Sequence, residues 1–354
     1  MSLQFHSLCV PVEGFLRTAI YDLQFGSFYL ASNQVQKELK EKQAGMDGEW
    51  ASLGNVLMAK PVKRILPIKA PEFDYPSVIS NAIAEIDAAT DVEKLVGLLE
   101  QAFCYNLQLA ANVPGLDETA IRNLASVIHR SIVKHCELVL HYEDFVRARE
   151  ALKRTTFPEL AFVCVYQAPK NELNPAGAEY PAILFSSDGF SWQTGKDVKH
   201  LDLFKINPLL YAESLHFNTY YNRKMFIDKE GLIRNGPLSD KSFGNIYKDH
   251  SWARLLRKRE FKQLWEVRKD SISVCKVCEF RHMCTDAREP VRHKGKEDWY
   301  MDTECNYNPY LAKWRGEPGY APLAESGVTV DPNGLTIDQD ALFEKLQALY
   351  PPTE

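Results

Sequence analysis

Long apolar runs are missing from this chain: its hydrophobic stretches are short and interrupted, so the reading excludes a membrane-spanning helix. The N-terminus has no charged-then-apolar signal layout, and a cytoplasmic protein is expected. Lysine and arginine form no run, and a net charge of -5 leaves no electrostatic footprint for nucleic acid. A phosphate-cradling G-x4-G-K, a Ser/His/Asp arrangement and a paired-carboxylate motif are absent too, so the sequence names no catalytic residue. What remains is the composition of an ordinary globular protein, 45% apolar and 25% charged, long enough at 354 residues for two or three units.

Eight cysteines are present, and they divide into two groups. Cys9, Cys104, Cys136 and Cys164 stand singly among apolar neighbours and read as buried small hydrophobes. Cys275-Lys276-Val277-Cys278, Cys284 and the more distant Cys305 instead form a C-x2-C-x5-C group with a remote fourth member. A C-x2-C pair grips one metal or cluster edge from a tight turn, a third thiol reaches another corner, and the fourth folds back, which suits ligation by four thiolates. A chain of this size needs no disulfide staples. Four cysteines alone leave zinc and iron-sulfur both open.

In chain order, alternating strands are expected over residues 8–12, 17–22 and 27–30, turning at Glu13-Gly14 and Phe25-Gly26. Helices follow over 33–42, with Asn33 as N-cap and Val35 and Leu39 on one face, and over 50–59, stopped by Pro61. Together these make a small winged-helix-like N-terminal domain, and the proline-punctuated stretch 60–76 reads as a linker. Strand and helix then take turns: strands over 81–87, 105–110, 137–141 and 160–166, with helices over 91–102, 118–134 and 143–153 between them. That alternation predicts an α/β domain with βαβ units on a parallel sheet. Ile121, Leu124, Ala125, Ile128 and Ile132 form a one-sided core stripe. A further strand is expected over 182–185 and a hairpin over 220–235 turning at Asp228-Lys229-Glu230-Gly231. Residues 251–268 read as a helix with Trp252, Leu255, Leu256, Leu264 and Trp265 on one side and a solvated basic face on the other. Beyond Trp314 a Gly- and Pro-punctuated tail ends in an amphipathic pattern at Leu342, Phe343, Leu346 and Leu349, read as a docking or capping segment. His129, His135 and His141 lie six apart across a helix and a strand, a spacing that does not pair them on one face.

The run from Asn222 to Gly231, then Phe243-Gly244-Asn245-Ile246, Cys275 to Arg281, Cys284-Thr285-Asp286 and Asn308-Pro309-Tyr310 together resemble the SPASM domain of peptide-maturing proteins, in particular the grasp-with-spasm type. Proteins of that type are encoded with an ATP-grasp ligase and a small precursor peptide. The resemblance implies a PqqD-like peptide-recognition element over 1–66, a degenerate radical-SAM-like incomplete (β/α) barrel over 67–218 and a SPASM-like cysteine-rich domain over 219–314, with the tail 315–354 outside it. It also implies that a precursor leader adds as a strand beside Ser27, Tyr29 and Leu30, flanked by Leu53 and Leu57, positions that serve equally well as the core of a small domain.

SPASM domains hold two auxiliary clusters on seven cysteines. Counted onto that pattern Gly231 falls in place, but Tyr221 and Gly236 stand where two cysteines belong, and Ala287 or Arg288 where a third belongs. The missing three are those of the first auxiliary cluster, whereas Cys275, Cys278, Cys284 and Cys305 match the second. Random decay would leave two half-sites, so the partition implies one occupied centre, a 4Fe-4S cluster with zinc as the alternative. Radical SAM chemistry needs C-x3-C-x2-C after the first barrel strand, and the loop Asp87-Ala88-Ala89-Thr90-Asp91 has no cysteine. The segment from Leu109 to Gly115 supplies one glycine where a glycine-rich stretch is expected, so no S-adenosylmethionine is expected either. Cys104 and Cys136 fall at the entry ends of predicted strands, opposite the face that carries sites in such barrels.

The resulting expectation is a pseudo-radical-SAM SPASM protein in maturation of a ribosomally synthesised, modified peptide. It would bind the precursor peptide and work beside an ATP-grasp ligase or another maturation enzyme, with no nucleic acid and no membrane involved. The alternatives are a non-radical peptide-modifying enzyme that uses the barrel cavity, and a zinc-stabilised scaffold.

Overall fold

The computed structural model describes residues 4–5, 8–40, 53, 57–58, 73, 75–192, 204–249 and 252–351. Contacts divide the chain into two compact units that interleave along the sequence. One comprises Met1–Phe73, Asp197–Tyr220 and Glu266–Glu354, the other Asp74–Lys196 and Tyr221–Trp265. The sequence predicts linear boundaries at 66/67, 218/219 and 314/315. The fold instead joins the N-terminal segment to the cysteine-rich one, and gives residues 221–265 to the other unit.

In the first unit β1 (Gln4–Phe5) is followed by β2 (Cys9–Glu13), β3 (Arg17–Asp22) and β4 (Ser27–Ser32), the last three forming an antiparallel sheet in that order. Asp22 closes the second turn: its side chain accepts from the Gln24 and Phe25 amides at 3.0 Å, and Gly26, at φ +67, returns its amide to the Asp22 carbonyl. Helix α1 (Asn33–Lys40) follows on the expected stretch, but Asn33 is its first residue rather than its cap and accepts from the Thr18 hydroxyl at 2.8 Å; residues 41–42 and the side chains of Val35 and Leu39 lie outside the described residues. The helix expected over 50–59 falls largely outside them too, and its described part differs. Leu57–Met58 is strand β5, paired antiparallel with β1. A short apolar run carries too few residues to separate the two periodicities, and the pairing partner decided.

The second unit is a mixed α/β layer built on a nine-stranded sheet. Its strands are β6 (Asn81–Glu85), β7 (Asn106–Ala110), β8 (His135–His141), β9 (Leu160–Tyr166), β10 (Glu172–Asn174) and β11 (Ala182–Phe185), then β12 (Lys224–Ile227), β13 (Leu232–Arg234) and β14 (Gly244–Asn245). The order is β10-β11-β9-β8-β7-β6-β12-β13-β14, parallel from β11 through to β12 and antiparallel at both margins. The sheet is open. From β6 to β9 successive strands are parallel neighbours, each pair joined through a helix.

Those helices begin where acidic caps put them. Asp91 accepts from the Lys94 amide at the start of α2 (Val92–Gln101), and Asp117 from Ala120 at the start of α3 (Glu118–His129). The core stripe of α3 is buried at Ile121, Leu124, Ala125 and Ile128, but the helix stops before Ile132. Ser131 is the cause: its hydroxyl donates to the Ile128 carbonyl at 2.7 Å and accepts from the Val133 amide, bonds that compete with another helical turn. The next helix is shorter than expected as well, α4 (Tyr142–Ala148) passing into a 3-10 turn over Arg149–Leu152. A further helix, α5 (Pro208–Ser214), belongs to the first unit and is capped by Asn207.

The hairpin β12–β13 turns where expected. Gly231 sits at φ +79, and a Cβ there would come within 2.5 Å of the Tyr247 ring. Gly231→Ala combines a left-handed backbone with that clash and is expected to destabilise by about 2–3 kcal/mol, measured by denaturant unfolding; a loss under about 0.5 kcal/mol would contradict it. The single helix expected over 251–268 is broken into α6 (Trp252–Leu256), α7 (Arg259–Lys262) and a 3-10 turn. Lys258 breaks it with an extended backbone, its ammonium donating to the Phe243 carbonyl at 2.9 Å.

The chain then returns to the first unit, through hairpins β15 (Pro290–Arg292) with β16 (Trp299–Met301) and β17 (Tyr307–Asn308) with β18 (Lys313–Trp314). The tail is ordered structure rather than a loose end. Strands β19 (Val328–Asp331) and β20 (Gly334–Ile337) pair, and Asp338 caps α8 (Gln339–Leu349). Leu342 is buried in a cluster with Tyr310, Leu311, Ala321 and Val328, whereas Phe343, expected on the same face, is 60% exposed.

Candidate metal centre

Cys275 opens a single 3-10 turn, Cys275–Val277, whose backbone is closed by the Cys278 amide donating to the Cys275 carbonyl at 3.0 Å. Immediately before it Val274 holds φ +69, a left-handed conformation that costs a β-branched residue about 1–3 kcal/mol. The surrounding packing holds this conformation: Val274 and Val277 pack against the Tyr310–Leu342 cluster.

Cys278 is held by its neighbour Glu279, which is 1% exposed. The Glu279 carboxylate receives Arg17 Nε and the Tyr307 hydroxyl, each at 2.5 Å, and its carbonyl receives the Tyr21 hydroxyl at 2.6 Å. Val12, Ala19, Tyr21 and Leu23 of the N-terminal sheet share one buried cluster with Phe280, Met283, Tyr307 and Trp314. The N-terminal sheet and the cysteine loop thus have a single core. Cys284 is fixed by Thr219, whose hydroxyl donates to the Cys284 carbonyl at 2.5 Å. Cys305 follows Glu304, whose carboxylate accepts the Leu323 amide from the tail at 2.5 Å.

All four thiols line one cavity of about 230 Å³. The tail supplies part of its wall through Leu323, Ala324 and Val328, a role that its place outside the resemblance gave no sign of. Among the described residues no group of three or more His, Cys, Asp or Glu is drawn together as a single-ion site. The four cysteines border a common void instead.

Burial pushes every one of the four thiols up, Cys284 to about 12, opposed at Cys284 and Cys275 by the Lys269 ammonium and at Cys275 and Cys305 by the Arg288 guanidinium. Asp286 lies among them. Burial acts to raise it, but Lys269 and Arg288 hold its carboxyl below the ordinary range. Arg288 occupies one of the positions where the resemblance expects a cysteine, and it makes a bidentate pair with Asp286 at 2.5–3.1 Å. Tyr221 and Gly236, at the other two such positions, belong to the sheet unit, apart from the unit that holds the four thiols.

The remaining cysteines are placed as hydrophobes: Cys9, Cys104 and Cys136 are buried and Cys164 half-buried within β9. The three histidines find separate partners, His129 with Glu159, His135 with Glu137 and His141 with Gln167. Of the peptide-contact candidates, Ser27, Tyr29 and Leu30 lie on β4, which among the described residues pairs only with β3. Leu53 is 2% exposed and so faces the interior, and Leu57 lies in β5.

At the carboxyl ends of the parallel strands, where barrel sites sit, the chain's own aromatic residues fill the space. Phe190 and Trp192 pack on Ala110, Val139 and Tyr166, Trp192 Nε1 donates to Glu85 at 2.6 Å, and the Tyr166 hydroxyl donates to the Ala111 carbonyl at 2.9 Å. The cysteine-free loop after β6 is a closed hydrogen-bonded turn, with Asp87 and Thr90 each accepting a backbone amide at 2.9 Å.

Two buried serine-histidine pairs that the sequence does not announce are Ser214 with His282 and Ser273 with His293, each at 3.0 Å. The Ser214 hydroxyl donates to the Tyr211 carbonyl at 2.6 Å, which makes it an acceptor from His282 and not a nucleophile. No sequence signal marked them, because each pair is assembled from separate segments. No helix among the described residues is long and apolar enough to cross a membrane. No protein-family model, curated protein or solved structure gives a significant match to the chain.

Proposed function

We propose that this chain is a pseudo-radical-SAM protein of the SPASM type that acts in maturation of a ribosomally synthesised peptide, through one four-cysteine 4Fe-4S centre and a strand-addition site for a precursor leader. The observation that carries it is the meeting of the half-buried Cys275, Cys278, Cys284 and Cys305 on one cavity, in the same compact unit as the N-terminal sheet. A void of about 230 Å³ bordered by four thiols favours a polynuclear centre over one zinc ion, which draws its sulfurs to about 2.3 Å. Bound through four thiolates, such a cluster offers no open iron and serves structure or one-electron transfer. What the residues do is hold it: the strained turn at Val274 presents two thiols, and the tail shields the void.

The aromatic filling at the carboxyl ends of the strands supports a protein without S-adenosylmethionine chemistry, and the successive order from β6 to β9 supports descent from a barrel-type winding. The modification itself then falls to a partner such as an ATP-grasp ligase. A precursor leader would pair along β4, main-chain bonds giving affinity and side chains such as Tyr29 and Leu30 giving selectivity.

Metal analysis of anaerobically purified protein tests the centre: iron and acid-labile sulfide are expected, and a colourless protein with zinc and no sulfide would replace the proposal with the scaffold reading. For the leader, deleting the N-terminal segment is a poor test because Val12, Ala19 and Tyr21 belong to the core around the cysteine loop. Leu30, 37% exposed, is the better probe. Leu30→Arg is expected to weaken binding of the co-encoded precursor leader at least about tenfold by titration. Unchanged affinity would remove β4 from the recognition surface.

A further inference from the structure

We infer that Lys269 is the counter-charge of the four-thiolate centre and holds its reduction potential up, an inference that rests on the cluster reading above. Lys269 is 3% exposed and lines the cavity with Cys275 and Cys284. Its ammonium has no hydrogen-bond acceptor among the described residues. The nearest anion is Asp286 Oδ2 at 3.6 Å, too long for a hydrogen bond, and both oxygens of that carboxylate are already taken by Arg288.

The other charged groups on the cavity are accounted for. Arg281 pairs with Asp270 at 3.0 Å, Arg288 pairs with Asp286 and donates to the Thr303 carbonyl, Glu304 accepts the Leu323 amide, and Asp302 is exposed. Lys269 and Arg288 are thus two buried cations that share the one buried carboxylate of this wall, Asp286, and Lys269 is the one without a hydrogen bond to it. A positive charge buried beyond its balancing anion is disfavoured and is stabilised where a further anion can be received. A cubane on four thiolates carries two negative charges when oxidised and three when reduced, and its sulfurs accept hydrogen bonds. The residues therefore fit the group. Because the reduced form bears the additional charge, a fixed positive charge beside it favours reduction, and net charge and hydrogen bonds to sulfur are the levers that set such potentials.

The inference is tested by dye-mediated redox titration of the full-length, anaerobically reconstituted chain, followed by electron paramagnetic resonance, with iron and sulfide measured in each sample. Lys269→Met is expected to retain iron and sulfide but to lower the reduced-to-oxidised ratio at fixed potential at least about tenfold, equivalent to about 59 mV for one electron. Asp286→Asn removes a negative charge from the same wall and is expected to move the ratio in the opposite direction, while Lys269→Arg stays within about threefold of the parent. A structural role for Lys269 would not produce opposite signs. If Lys269→Met does not fold, Lys269→Gln and Asp286→Asn carry the same comparison. A cluster that is present in these variants at an unmoved potential overturns the inference and leaves the cluster reading standing. A parent protein without iron and sulfide overturns both.

Discussion

Cys305→Ser is expected to take the iron content of the purified protein from about four per chain to less than about one, with parallel loss of sulfide. Cys305 is the one member of the four-thiol set outside the C-x2-C-x5-C group, on the segment before β17. A serine hydroxyl is harder and far less acidic than a thiol, so it makes a poor fourth ligand. Three thiolates would leave an iron exposed to water and oxygen. Cys164→Ser is the matching control. Cys164 lies half-buried in β9 of the other unit and should leave iron and sulfide unchanged. Equal iron in the Cys305 variant and the parent would show that the four thiols do not form one site.

Glu279→Ala is expected to destabilise the cysteine-bearing unit by about 3 kcal/mol, read as a shift of its denaturant-unfolding transition. The carboxylate is buried and takes both Arg17 and Tyr307, so its removal leaves a half-buried guanidinium and a buried hydroxyl that have lost their acceptor. The Tyr21 bond to the Glu279 carbonyl survives, which sets a ceiling on the loss. Glu279→Gln keeps an acceptor of the same length and should cost about 1 kcal/mol. Because Cys278 is the preceding residue, the alanine variant should also load iron more slowly at reconstitution. An alanine variant within about 0.5 kcal/mol of the parent would mean that the Arg17–Glu279–Tyr307 group is solvent-like and does not fix the loop.

Pattern reading placed most of the regular elements well. Strands such as Leu160–Tyr166 and Ala182–Phe185 fall on their expected residues, and the Asp91 and Asp117 caps start their helices on time. Such features depend on neighbours a few residues away, which a linear reading sees. The errors arise where a distant or competing bond intervenes: Ser131 stopping α3, Lys258 breaking the helix before the cysteines, and the pairing of Leu57–Met58 with Gln4–Phe5 in place of a helix. The tail was legible as an amphipathic helix. That its preceding loop and hairpin wall the cavity was not.

By itself the sequence determined the grouping of Cys275, Cys278, Cys284 and Cys305, because cysteine spacing is written along the chain, and it determined the α/β alternation, because periodicity is local. Only the tertiary structure decided that the N-terminal sheet packs with the cysteine loop, that residues 221–265 belong to the sheet unit, and that Lys269 is buried on the cavity wall beside an already satisfied Asp286. The reason is physical: which segments share a core and which charges lose their water depend on contacts between residues hundreds of positions apart, and those leave no periodic trace in the chain.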